Sequence, residues 1–189
     1  MRPKGDSEPS RGALVRGFLE GDAAPEAYLA GVAAGGAAYR GFNLVAGDAR
    51  TLAYFSNRAE GVRVVAPGIH GLSNHLLDTP WPKVRRGTSA LRAALDGDRE
   101  ADIEALLTML RDDASPPDAE LPDTGVGVAA ERVLAPMFIR TAVYGTRCST
   151  VILVERPGRG PSADRARVTF VERTHAPEPL GDVRFDFEV

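Results

Sequence analysis

Between Pro67 and Lys83 the chain reads Pro-Gly-Ile-His-Gly-Leu-Ser-Asn-His-Leu-Leu-Asp-Thr-Pro-Trp-Pro-Lys, and no other stretch restricts its fold as strongly. Two Gly, three Pro, two of the three His and the only Trp fall within these 17 residues. Proline lacks the amide donor that helices and central strands need, and glycine is entropically expensive to fix. The run is therefore an ordered loop, and its polar side chains are of the kind that loops present for binding or catalysis.

The flanks read as regular structure. Ser10 is placed to cap a helix over Arg11–Glu20, where Leu14, Val15, Phe18 and Leu19 recur at helical spacing. Pro25 suits the first turn of a second helix with Tyr28, Leu29, Val32 and Ala33 on one face, stopped by Gly35 and Gly36. Phe42–Val45 and Leu52–Phe55 flank a Gly47-Asp48 turn and read as a hairpin, with a third strand at Val62–Val65. After the loop, Val84, Thr88, Leu91 and Leu95 mark a helix, with Lys83, Arg85 and Arg86 read as its solvated face. Asp98 is the expected cap of the next, whose buried stripe is Ile103, Leu106, Leu107 and Leu110.

Asp112–Pro122 is acidic and proline-rich, hence a surface crossing, and Ala129–Leu134 a short helix ended by Pro136. Strands follow at Thr150–Val154, Arg167–Val171 and Val183–Val189, with Gly158–Asp164 as a turn or loop. In the last strand Val183, Phe185, Phe187 and Val189 alternate with Arg184, Asp186 and Glu188, the pattern of a half-buried strand with one wet face. Helices, strands, helices, strands in that order point to a layered α+β fold rather than a doubly wound parallel sheet.

Composition narrows the function classes. A length of 189 residues suits one domain, 1–189, with residues 1–9 expected to be disordered. A net charge of −3 gives no basic footprint for nucleic acid. No apolar run approaches the roughly 20 residues of a membrane helix, and the N-terminus has no secretory h-region. Cys148 is the only cysteine, so no internal disulfide and no cysteine zinc cluster forms. These features fit a cytoplasmic protein.

Four stretches carry a family resemblance: Gly41-Phe-Asn-Leu-Val45, Pro67–Lys83, Leu121-Pro-Asp-Thr-Gly-Val126 and Tyr144-Gly-Thr-Arg-Cys-Ser-Thr-Val151. In order and spacing they resemble the NRDE family, also called the transport and Golgi organisation protein 2 family. The resemblance implies a four-layer α/β/β/α sandwich like that of the N-terminal nucleophile hydrolases. Members of the family begin Met-Cys and soon after carry Asn-Arg-Asp-Glu. Here Met1 precedes Arg2 and the motif is absent, so the opening strands and the nucleophile are expected to be missing, through a misplaced start or a truncation. Asn57-Arg58-Ala59-Glu60 is a near miss that belongs to a strand-end turn and receives no catalytic role.

The resemblance implies a carrier of an amphipathic small molecule, haem or an acyl lipid, with no cofactor required and no hydrolysis by this chain. The rival reading is a cysteine amidohydrolase of linear amides seen without its nucleophile segment. Asn74 is the leading site residue: in the hydrolases it resembles, an Asn in such a loop donates to the developing oxyanion, worth about 3 kcal/mol. Arg147 is placed to hold a carboxylate or propionate bidentately. His70 and His75 have no metal-ligand spacing, although either suits axial ligation of a haem. Trp81 suits the wall of an apolar pocket. Cys148 is expected to pack at a strand start without an activated thiol. Exposed sheet edges are expected to favour self-association.

Overall fold

The computed structural model describes residues 9–48, 50–96, 101–155, 165–176 and 180–189. It divides into two compact units, Met1–Gly68 with Leu72–Asp78, and Ile69–Gly71 with Thr79–Val189. Both combine helices with an antiparallel three-stranded sheet, so the chain is mixed α+β. Among the described residues no helix is long and apolar enough to cross a membrane.

The first unit contains α1 (Gly12–Leu19), α2 (Pro25–Gly35) and the strands β1 (Asn43–Gly47), β2 (Leu52–Ser56) and β3 (Arg63–Val64), in the order β1-β2-β3. The hairpin turns where Gly47-Asp48 predicts it. Gly47 pairs with Leu52, and the Asp48 carboxylate accepts from the amides of Arg50 (2.7 Å) and Thr51 (2.8 Å). Pro25 opens α2 as expected, and Leu29 is completely buried against Leu14, Phe42, Ala46, Ala53 and Phe55. α1 differs from expectation. Arg11, not Ser10, holds the cap position, while Ser10 contributes its carbonyl to the Ala13 amide (3.0 Å). Only Leu14 and Phe18 of its stripe pack inward; Val15 and Leu19 face solvent.

The second sheet face of this unit is covered around Tyr54 by the loop 72–78, while Val45 and Leu52 on the same face stay exposed. Tyr54 is buried, donates to Asn43 Oδ1 (2.6 Å) and accepts from the Leu77 amide (3.2 Å), while Asn43 Nδ2 donates to the His75 carbonyl (2.9 Å). Asn57 is structural, as the turn reading requires. Its Oδ1 accepts from the Phe42 amide (2.8 Å) and its Nδ2 lies within donating distance of the Gly36, Tyr39 and Arg40 carbonyls, pinning the connection between α2 and β1.

The second unit contains α3 (Pro82–Ala94), α4 (Ile103–Met109), α5 (Val128–Leu134), β4 (Cys148–Glu155), β5 (Arg167–Thr174) and β6 (Gly181–Glu188), in the order β4-β5-β6. Asp98, the expected cap, and the expected turn 158–164 lie outside the described residues, as do residues 1–8 of the expected disordered segment. α4 is capped instead by Asp102, whose carboxylate accepts from the amides of Glu104 (2.9 Å) and Ala105 (3.4 Å). Leu106 and Leu107 then pack on Val151 and Val171 of the sheet, with Ile103, Leu110, Leu91 and Leu153 around them.

The cations opening α3 have protein partners rather than only solvent, although Arg85 stays exposed. Lys83 Nζ donates to the Leu134 carbonyl (2.7 Å), Arg85 pairs with Glu120 (2.8 Å), and Arg86 pairs with Asp112 (2.9 Å). They tether the 112–120 crossing and α5, which a linear charge pattern cannot distinguish from solvation. Burial lowers the Lys83 pKa, a shift partly offset by nearby Glu131.

β6 also departs from expectation: its whole length is exposed rather than half-buried. Register places Phe170 opposite both Ile152 and Phe185, and Val168 opposite Val154 and Phe187, so these side chains share one sheet face. α4 covers the opposite face, that of Val151 and Val171. Alternation selects an apolar face, but only an overlying layer buries it, and within this unit nothing described lies over this one.

Candidate functional site

The second unit carries a cleft of about 960 Å³ between the segment 138–147, the end of β5 and the start of β6. Its floor begins at Phe138, which is buried and whose amide donates to the Asp112 carbonyl (2.8 Å). From there the chain makes a narrow turn. Arg140 bridges Gly145, the Thr146 amide donates to the Ile139 carbonyl (2.8 Å), and the Thr141 amide donates to the Tyr144 carbonyl (3.0 Å). Thr141 Oγ1 accepts from the amides of Tyr144 (2.9 Å) and Val143 (3.3 Å), fixing the turn's tip. Gly145 is required here because a Cβ would stand 2.8 Å from the Ile139 carbonyl oxygen.

Arg147 leads from this turn into β4 and is exposed, and its carbonyl accepts from the amides of His175 (2.6 Å) and Ala176 (3.2 Å). His175 thereby sits against the cleft wall, with Nε2 3.0 Å from Ser149 Oγ and its ring edge-on to Phe138 at 4.8 Å between centroids. Burial, then the positive fields of Arg111, Arg173 and Arg140, lower the His175 pKa below the ordinary histidine value.

Four arginines and one aspartate are the charged residues lining the cleft. Arg173 is saturated by Asp182 and Glu104, with contacts of 2.6 Å and 2.7 Å. Among the described residues, the carboxylate nearest Arg140 is that of exposed Asp113, in a loose 4.0 Å contact. Arg111 and Arg147 have no carboxylate partner among the described residues. The guanidiniums of Arg111 and Arg140 also lie over the Phe138 ring at 5.8 Å and 5.5 Å. The arrangement joins cations with unused donors to an apolar surface of Phe138, Val143, Tyr144 and Leu180. That combination binds an anionic head together with an apolar body.

Of the residues singled out in the sequence, the structure places Arg147 in this cleft. Asn74 and His75 belong to the first unit, on the loop over Tyr54, and both are exposed. His70 is exposed and Trp81 half-buried, both in the second unit and neither lining the cleft. The 67–83 run is free of helix and strand up to Pro82, as predicted. Gly71 is explained by packing on α3, since a Cβ there would stand 2.6 Å from Val84 Cγ1.

Cys148 is exposed at the first position of β4 rather than packed. Residual desolvation and neighbouring Glu172 raise its pKa, which opposes nucleophilic use. Sequence reasoning missed His175, Arg111, Arg140 and Phe138, which lie in three separate stretches without a local motif. The available signal was His175 itself, the one histidine outside the loop.

A family model described as Transport and Golgi organisation 2 matches residues 1–177. The "Transport and Golgi organization protein 2 homolog" of Bos taurus is 38% identical over 87% of this chain. The "Transport and Golgi organization 2 homolog" of Mus musculus and the "Transport and Golgi organization protein 2 homolog" of Homo sapiens are each 35% identical over the same share. The matched region covers 61% of each of these relatives, so the chain spans about three-fifths of their length.

Proposed function

The chain belongs to the Transport and Golgi organisation 2 family, and from that premise we propose that it is a non-catalytic carrier of an amphipathic anion, haem or an acyl lipid, acting in the cytoplasm in intracellular transport. The observation that carries this reading is the cleft beside Arg147, where Arg147 and Arg111 have no carboxylate partner among the described residues and stand next to Phe138, Tyr144 and Leu180. A carboxylate or propionate on Arg147 gains a charge-assisted hydrogen bond of about 1.5–3 kcal/mol, and the apolar wall accepts the ligand's body. The relatives' names speak of transport, which agrees with carriage rather than turnover. With this function we also propose that the helices and sheets are those of an N-terminal nucleophile hydrolase-type sandwich in the whole protein.

The test is titration of the purified chain with haem and, separately, with a long-chain fatty acid. Haem binding should shift the Soret band and quench Trp81 fluorescence, and Arg147→Ala should weaken binding about tenfold or more, from the strength of a charged hydrogen bond. Unchanged spectra with haem and no competition by fatty acid would remove the reading.

A further inference from the structure

We propose that the rim of this cleft docks the protein on membranes bearing anionic headgroups, with the Thr141–Gly145 turn as the inserting tip. The surface goes beyond ligand carriage, since it needs nothing bound in the cleft. Val143 at the tip is 96% exposed, more than any other large hydrophobic residue described, and neighbouring Tyr144 and Leu180 are 60% and 61% exposed. Singly exposed apolar side chains are common and need no explanation. These three differ because they line one rim, and because the tip is held rigid by the Thr141 hydrogen bonds, so presenting Val143 requires no ordering at contact.

Charge complementarity selects the partner. The chain as a whole carries −3, yet four arginines against one aspartate line the cleft. Arg173 is spent on Asp182 and Glu104, but Arg111 and Arg147 have no carboxylate partner among the described residues, and these two beside a valine-tyrosine tip present the two features an anionic interface recognises. A short apolar element enters the headgroup boundary, with a tyrosine at headgroup level, and cations meet phosphate and carboxylate. Each cation near such a surface adds about 1 kcal/mol, roughly a fivefold gain in partition, and salt screens it.

The experiment is flotation of the 189-residue chain with vesicles of phosphatidylcholine, with and without phosphatidylserine, in the absence of haem or fatty acid. Binding should require phosphatidylserine and weaken with salt. Arg147→Ala and Arg111→Ala should each reduce partition about fivefold, and Val143→Asp should abolish it. Arg16→Ala, at an exposed i,i+4 pair in the first unit, should change nothing. Circular dichroism and melting of each variant separate lost docking from lost folding, and Val143 is exposed enough for folding to be unaffected. Equal binding to neutral vesicles, no binding at all, or wild-type binding by folded Val143→Asp would overturn the proposal. Release by inorganic phosphate at matched ionic strength, with Val143→Asp still bound, would do the same by marking a free-anion site. A chain that binds haem but ignores vesicles overturns docking alone; one that docks but ignores haem and fatty acid overturns carriage alone.

Discussion

The two sheets have the same number of strands in the same sequential order, yet differ in how their faces are covered. In the first unit α1 and α2 pack over one face of β1-β2-β3, and the loop 72–78 covers the other around Tyr54 while leaving Val45 and Leu52 exposed at its end. In the second, α4 covers one face of β4-β5-β6, and the other leaves Ile152, Val154, Phe185 and Phe187 about half exposed or more. β6 alternates strictly, with Val183, Phe185 and Phe187 against Asp182, Arg184, Asp186 and Glu188, whereas β1 and β2 carry apolar residues on both faces. Alternation thus states which face can be buried, and the chain segment lying on that face decides whether it is.

The sharpest way to break this comparison is truncation in the two cores. Leu29→Ala and Leu107→Ala each empty a completely buried site and should destabilise by about 2–5 kcal/mol. Hydrogen exchange should locate the first loss in β1 and β2 and the second in β4 and β5, because the units have separate cores. Phe185→Thr on the open face should shift the melting temperature very little while improving solubility. A loss from Phe185→Thr comparable to that from Leu107→Ala would show the face to be covered in solution.

Tyr54→Phe tests the loop cover. It removes the hydroxyl joining Asn43 and the Leu77 amide and leaves both with one partner fewer, so a loss of about 1–3 kcal/mol is expected. Exchange should rise within 72–78 before it rises in β2. Uniform exchange across the unit would mean that the loop is not held by this contact.

The smallest effect concerns pH. The folded pKa of His175 lies below its unfolded value of about 6.5, so the unfolded chain takes up the proton first. Stability is unaffected above that value and falls with pH from about 6.5 down to the depressed folded pKa. His175→Gln should flatten this window, read as melting temperature against pH. Asp186, held down to about 2 by Arg184 and Thr169, contributes in a separate window: its stabilisation is lost only as pH falls below about 4. A variant that retains the slope near pH 6 would assign it to another group.

Much of the fold could be read directly from the chain. Pro25, the Gly47-Asp48 turn and the helix-breaking run 67–83 act through backbone chemistry local to each residue, and each appears where expected. Caps were less legible, because Ser10 and Asp98 are as good by type as the residues that hold or flank the observed helix starts, and phasing against the core chooses among them. Arg147 was legible from the motif around it. The rest of the cleft was not, since Arg111, Phe138, Arg140 and His175 meet only because β4 pairs with β5 and the 138–147 turn folds back beside them.

The sequence by itself determined the elements, the apolar faces, the acidic net charge and the family, because these depend on residue type and short-range spacing. Tertiary structure alone decided that Lys83, Arg85 and Arg86 are tethers, that β6 is exposed, and that four arginines gather around one aromatic floor. Partners for charge and cover for apolar surface come from residues distant in the chain, and the free energy of both depends on distance and burial, which no linear pattern encodes.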